Sequence, residues 1–228
     1  MPVYRLTKEI IFPPPQLSGK EGLVAIGGDL SEKRLLLAYN LGIFPWYSED
    51  EPILWWSPDP RLVIYPDEIR ISKSLHKIIK KNVFHITFDM AFEQVINLCA
   101  GVRRKKNEGT WIVPDMIEAY CMLFKSGYAH SVEAWKDNKL AGGLYGVSLG
   151  RCFFGESMFS LEANASKVAF VALSQYLENK AFDFIDCQVA TDHLKRFGAK
   201  EIHRSLFLKQ LKKALVLPTL KGIWDYQS

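Results

Sequence analysis

Two carboxylates stand in this sequence where a carboxylate is costly. Residues 182–188 read FDFIDCQ and residues 153–160 read FFGESMFS, so Asp186 and Glu156 each interrupt a run of aromatic and aliphatic side chains. An ionised acid removed from water without a partner is strongly disfavoured, and a chain that does this twice uses those groups for something. The chemistry open to them is proton transfer, or the holding of an amine by a charge-assisted hydrogen bond. Strand alternation puts Phe184, Asp186 and Gln188 on one face, and Phe154, Glu156, Met158 and Ser160 on one face of the other strand. If the two strands are neighbours, two acids and an amide converge beside an apolar wall. Spacing alone leaves a second possibility open, in which the acids satisfy backbone amides or an arginine, because structural ion-pair networks occupy similar places.

The remaining reactive residue types narrow the chemistry by exclusion. The four cysteines, Cys99, Cys121, Cys152 and Cys187, lie in apolar segments without C-x-x-C spacing and read as packed, reduced thiols. There is no H-E-x-x-H, which argues against a zincin. None of the five histidines is paired at ligand spacing, and His130 and His193 read as structural. Neither a metal nor a cofactor is expected. The net charge is only +4, from 29 Lys and Arg against 25 Asp and Glu, so any site for a polyanion must come from clustering.

One such cluster is residues 72–82, SKSLHKIIKKN. At about 100° per residue, a helix with Lys73 at zero carries Lys77 at about 40°, Lys80 at about 340° and Lys81 at about 80°. Leu75, Ile78 and Ile79 fall on the opposite side. A helix docked by that apolar face turns four cations outward, as a solvated face or as a phosphate-binding stripe. A second basic segment, RRKKNEG, spans 103–109. The N-terminus MPVYRLTKEIIFPPP lacks a secretory h-region, and no stretch approaches the ~18 apolar residues of a transmembrane helix, so a cytoplasmic protein is expected.

Which elements would position these residues? Residues 1–62 are rich in Pro, Gly and Trp, with only Glu32 to Tyr39 helical by pattern; they read as a small, turn-rich N-terminal domain. Periodic elements alternate over 63–228. The spacing predicts a helix over 72–82, a strand over 84–88, a helix capped by Asp89 and ending at Cys99, and a helix opened by Pro114 that ends before Gly127. Three extended runs, AHSVEAWKD, KLAGGLYGVSL and GRCFFGESMF, are separated by Asp137-Asn138 and Leu149-Gly150 and read as an antiparallel meander. A helix over 165–179, the strand FDFIDCQ, a helix from Asp192 stopped by Gly198, a strand near Ile202 and a helix from Ser205 complete the chain. Meander, then helix, strand, helix, strand indicates an α+β acyltransferase-like domain behind the small N-terminal α/β unit. Topology by itself does not set function.

Motifs in a fixed order carry more. GGDL (27–30), GIFPWY (42–47), PILWWSPDPR (52–61), TWI (110–112), AHSVE (129–133), GGLYGV (142–147), GESMFS (155–160), NASK (164–167) and IDCQ (185–188) run through nearly the whole chain. In these the sequence resembles the bacterial leucyl/phenylalanyl-tRNA–protein transferases. The resemblance implies transfer of Leu or Phe, less readily Met, from Leu-tRNA or Phe-tRNA to the α-amine of proteins beginning with Arg or Lys, which marks them for N-degron degradation. It also implies an acetyltransferase-like (acyl-CoA N-acyltransferase) catalytic domain with a mixed, largely antiparallel sheet.

On this resemblance Asp186 holds the attacking amine, Gln188 orients it, and Glu156 orients the aminoacyl end or attracts the cationic acceptor. A neutral carboxamide is a poor base, so orientation is the role that suits Gln188. An α-amine titrates near 7.7–8.0, so positioning outweighs base strength. Phe153, Met158 and Ile185 match the apolar lining for the transferred side chain, Leu144, Phe170 and Leu173 are hydrophobic positions of that lining that vary in identity, and all six also serve as core. Trp46 and Trp111 match aromatics that sandwich the terminal adenine, while Trp55, Trp56 and Trp135 are assigned to packing. Lys73, Lys77, Lys80 and Lys81, aided by Arg103, Arg104, Lys105 and Lys106, would then meet the acceptor stem. Two rivals remain. An acyl-CoA N-acetyltransferase needs a glycine-rich loop for the pyrophosphate, where this chain has SLEANASK without glycine. A non-catalytic tRNA-binding module leaves IDCQ unexplained.

Overall fold

The computed structural model of the chain describes residues 3–105 and 112–225. The meander forms as the turn chemistry dictates. Asp137 and Asn138 both take positive φ, 50° and 58°, the geometry of a tight hairpin turn that suits short polar side chains. They join β7 (Ala129–Lys136) to β8 (Lys139–Leu149), and a turn at Gly150, φ 56°, leads into β9 (Cys152–Ser160).

Two mixed sheets hold the chain together. The first comprises β1 (Tyr4–Leu6), β2 (Leu23–Gly27), β3 (Phe44–Pro45) and β4 (Leu54–Trp56), in the order β1-β2-β4-β3. The second has seven strands: β5 (Arg61–Ile64), β6 (His85–Phe88), β7 to β9, β10 (Phe184–Gln188) and β11 (Lys200–Ile202), in the order β11-β5-β10-β9-β8-β7-β6. Within it only β9 and β10 pair in parallel. The mixed, largely antiparallel α+β architecture is therefore as expected. The short N-terminal strands had no legible signal, because runs of two to five residues show no period.

Alternation along the large sheet sorts side chains into two cores. Tyr145, Phe154 and Phe184 point toward α1 (Glu32–Asn40), α3 (Phe92–Lys105), α4 (Pro114–Lys125) and α7 (Arg204–Ala214). Leu144, Phe153 and Ile185 belong to the other cluster, with α5 (Ala165–Asn179) and Leu75 of α2 (Lys73–Lys80). A short helix, α6 (Asp192–Arg196), comes after β10, its first turn capped by the Thr191 hydroxyl. Among the described residues no helix is long and apolar enough to cross a membrane.

The helix expected from Asp89 to Cys99 is displaced. It begins at Phe92 and continues to Lys105, since Arg and Lys are good helix formers and only Gly101 opposes it. Residues 103–105 therefore end a helix instead of opening a loop. Asp89 is no helix cap: with φ 57°, its carboxylate accepts from the Ser131 and Trp224 amides and contacts His130 Nδ1, each at 2.8 Å. The His130 ring stacks on Trp224 with centroids 3.7 Å apart, so His130 has the structural place expected of it.

Candidate functional site

A cavity of about 440 Å³ opens where β8, β9 and β10 meet α5 and the segment Phe44–Trp46. Its apolar wall contains all six residues expected to line it: Leu144, Phe153, Met158, Phe170, Leu173 and Ile185. Five of these are nearly fully buried in the core as well, and Met158 is half-buried. An unbranched thioether at that place adapts to side chains of different shape. Glu156 and Gln188 supply polar groups on the wall, and Trp46, 43% exposed, lines it too. The Trp46 carbonyl accepts from Trp56 Nε1 at 2.7 Å, which fixes the backbone that carries this indole. Trp55 is buried and donates to the Gly27 carbonyl, and Trp135 donates to Thr87, both at 2.8 Å, which are packing roles. Trp111 lies outside the described residues.

Two bulges bring the polar groups together. Tyr145 pairs with Ser157 while Gly146 pairs with Gly155, leaving Glu156 as the extra residue of β9. The face expected to carry Phe154, Glu156, Met158 and Ser160 is broken there: Phe154 stays with one core and Met158 passes to the other. In β10, Asp186 pairs with Val63 and Gln188 with Leu62, leaving Cys187 extra. Gln188 takes φ 54°, a conformation that a residue with a Cβ adopts reluctantly and that persists only where neighbours impose it. Its amide donates to Asp186 Oδ1 at 3.0 Å, and its Nε2 donates to Glu156 Oε1 at 3.3 Å.

Asp186 has a different neighbour from the one expected. Its side chain is fully buried and does not line the cavity; Arg61 Nε and Nη2 donate to its two oxygens at 2.8 and 2.7 Å. The Arg61 guanidinium is itself buried between the rings of Phe44 and Phe207, at 4.8 and 4.5 Å. The place given to a substrate amine is taken by this bidentate pair, so Asp186 acts on the cavity through the Gln188 backbone. Of the alternatives left open by spacing, the one seen at Asp186 is a carboxylate that satisfies an arginine and a backbone amide.

Glu156 is the acid that reaches the cavity. Tyr39 of α1 donates to its Oε1 at 2.8 Å and Tyr120 of α4 to its Oε2 at 2.9 Å. Burial pushes its pKa up to about 7; the two phenol hydrogen bonds oppose that rise, Asp186 adds to it and Arg61 opposes it. A carboxyl with a pKa near the working pH is suited to proton transfer. Sequence reading missed Tyr39, Tyr120 and Arg61. Arg61 had a signal, a cation opening the apolar strand RLVI, whereas nothing distinguishes a functional Tyr39 or Tyr120 from a core aromatic.

The lysine helix forms as its wheel predicts. The Ser72 hydroxyl caps it by accepting from Leu75 N–H at 3.2 Å, Leu75 is buried, and Ile78 and Ile79 are half-buried. Lys73, Lys77, Lys80 and Lys81 are all exposed. The helix packs against α5, which also supplies Phe170 and Leu173 to the cavity. The side chains of Arg103, Arg104 and Lys105, and all of Lys106, lie outside the described residues. Among the described residues no group of three or more His, Cys, Asp or Glu is placed to hold a metal ion.

Comparison with known proteins matches the chain to one family. Residues 63–212 match the model of the leucyl/phenylalanyl-tRNA protein transferase family, and residues 28–59 match the model of that family's N-terminal domain. The leucyl/phenylalanyl-tRNA–protein transferase of Syntrophobacter fumaroxidans is 59% identical over 228 residues, covering 100% of this chain and 97% of the relative. That of Desulfatibacillum aliphaticivorans is 56% identical over 228 residues, covering 100% and 98%. Among solved structures, an aminoglycoside acetyltransferase from an uncultured soil metagenomic sample aligns with a TM-score of 0.39 and 18% identity, covering 64% of this chain and 98% of that one. With a family model spanning most of its length and relatives more than half identical from end to end, this chain belongs to the leucyl/phenylalanyl-tRNA protein transferase family and is an enzyme, a transferase.

Proposed function

We propose that the chain moves Leu or Phe, and less readily Met, from Leu-tRNA or Phe-tRNA to the α-amine of proteins or peptides beginning with Arg or Lys. In the cytoplasm this marks such proteins for degradation by the N-degron route. The observation that carries the reading is the cavity itself: six apolar side chains of adaptable shape, with Glu156 and Gln188 on the same wall. The reaction is aminolysis of an ester. The leucyl or phenylalanyl side chain occupies the apolar part, the ester carbonyl lies near the polar pair, and Trp46 stacks on the terminal adenine. Gln188, held by Asp186 and Arg61, orients the amine, and rate comes mainly from holding the nucleophile in line with the carbonyl.

The direct test offers labelled Leu-tRNA or acetyl-CoA as donor to a peptide beginning with Arg. Label from Leu-tRNA alone is expected. Transfer from acetyl-CoA would favour the acyl-CoA rival, which the glycine-free segment SLEANASK, running from the end of β9 into the first turn of α5, argues against.

The exposed lysines of α2 are proposed to meet the phosphates of the acceptor stem without reading its sequence. Replacing Lys77 and Lys80 by Ala is expected to weaken binding of different Leu-tRNAs alike. The slope of log affinity against log salt should flatten by about 0.7 to 0.9 for each phosphate that is no longer neutralised. A minimal aminoacyl-adenosine donor, which has no stem, should react as before. An unchanged salt slope for full tRNA would make this helix an ordinary solvated face.

A further inference from the structure

Two phenols and a carboxyl form a closed triangle behind the cavity wall. Tyr39 and Tyr120 are fully buried, each reaches one oxygen of Glu156, at 2.8 and 2.9 Å, and their hydroxyls also hydrogen-bond each other. A phenol brings one hydrogen and a carboxylate none. With Glu156 ionised, two hydrogens serve three contacts, and one pair of oxygens is left facing without a proton between them. With Glu156 protonated there are three hydrogens for three contacts. The carboxyl then donates to one tyrosine, that tyrosine to the other, and the second tyrosine to the remaining carboxyl oxygen.

Taken one at a time, the phenol hydrogen bonds favour the carboxylate. Taken with the contact between the tyrosines, they favour the acid, since protonation completes the circuit and a cyclic set of hydrogen bonds is mutually reinforcing. The triangle is buried on the tyrosine side, while Glu156 itself lines the cavity and accepts from Gln188 Nε2.

We infer that Tyr39 and Tyr120 are positioning residues that make Glu156 the proton acceptor of the aminolysis, by offering its carboxyl a complete hydrogen-bond ring only when it is protonated. The inference rests on the reading of the cavity as an aminolysis site. The amine nitrogen bonds to the ester carbonyl carbon, and a proton on that nitrogen passes to the Glu156 carboxylate. The bond from that carbon to the ribose oxygen of the tRNA then breaks, and the departing oxygen takes the proton back from Glu156. An amide and a free tRNA hydroxyl result, with Glu156 restored. The other ionisable groups around the triangle are Asp186 of β10 and Arg61 of β5, which act on Glu156 in opposite senses, and Tyr145 of β8, edge-on to Tyr120 at 5.6 Å.

The test follows the Glu156 carboxyl by 13C resonance in glutamate-labelled full-length protein, assigned through Glu156→Gln, in the native chain and in Tyr39→Phe and Tyr120→Phe. Removing either hydroxyl deletes two hydrogen bonds from the protonated ring, but only one hydrogen bond and one unfavourable contact from the ionised form. The ring therefore predicts a carboxyl pKa lowered by about one unit in each Phe variant. The corresponding limb of the single-turnover pH profile should shift with it, while the limb of the peptide amine stays in place. A raised pKa in both variants, as expected if the tyrosines are merely donors to a carboxylate, overturns the inference, as does a rate limb that ignores both substitutions. Either tyrosine suffices if the other variant does not fold. Absence of transfer by the native protein would defeat the aminolysis reading, whereas the sign of the carboxyl shift tests the ring regardless.

Discussion

Asp186→Ala is expected to remove about 3 to 5 kcal/mol of folding stability, because it leaves the Arg61 guanidinium buried and uncompensated. Denaturant unfolding measures this directly, as a lower midpoint. The same substitution deprives the Gln188 amide of its acceptor, so transfer should fall even at temperatures where the variant is folded. The double replacement Arg61→Met with Asp186→Leu separates the two roles. Well-packed apolar side chains often replace a buried ion pair at little cost, so stability should largely return. Transfer should not, since the residue in the left-handed conformation at 188 still lacks the carboxylate that holds it. Recovery of both would make the pair purely structural.

The second large effect is at Gln188. Gln188→Ala keeps a Cβ at φ 54°, so the backbone penalty is unchanged and only the side chain beyond Cβ, with its carboxamide, is removed. If Gln188 orients the amine, kcat should drop by about 100-fold, the scale of a misplaced nucleophile, with the affinity for Leu-tRNA nearly constant. Equal losses of affinity and rate would instead assign Gln188 to donor binding.

How far the sequence reveals all this depends on whether local pattern or tertiary detail decides. The meander was legible because Asp137-Asn138 and Gly150 enforce their turns locally. The lysine face of α2 was legible for the same kind of reason, since a wheel is a property of eight adjacent residues. Phe153, Met158 and Ile185 were identified by their match to family positions, Leu144, Phe170 and Leu173 by their hydrophobic character, and the cavity gathers all six. Alternation failed at Glu156 and Gln188, where one extra residue in each strand reverses the facing of the residues after it, and a bulge has no composition of its own to announce it. Arg61 lies 125 positions from Asp186 and meets it only because β5 pairs with β10, so no local reading could name the partner. Tyr39 and Tyr120 reach Glu156 from two separate helices, and in sequence each is an ordinary aromatic of an amphipathic helix.

The cavity is proposed to join an aminoacyl ester to an α-amine. This is tested most directly by fragment mass spectrometry of peptides beginning with Arg after incubation with Leu-tRNA and the protein, with an N-acetylated copy of the same peptide alongside. One leucine is expected on the α-nitrogen of the free peptide and none on the acetylated copy, whose nitrogen is an amide and no longer nucleophilic. Leucine on the acetylated peptide, or on a side chain of either one, would contradict it.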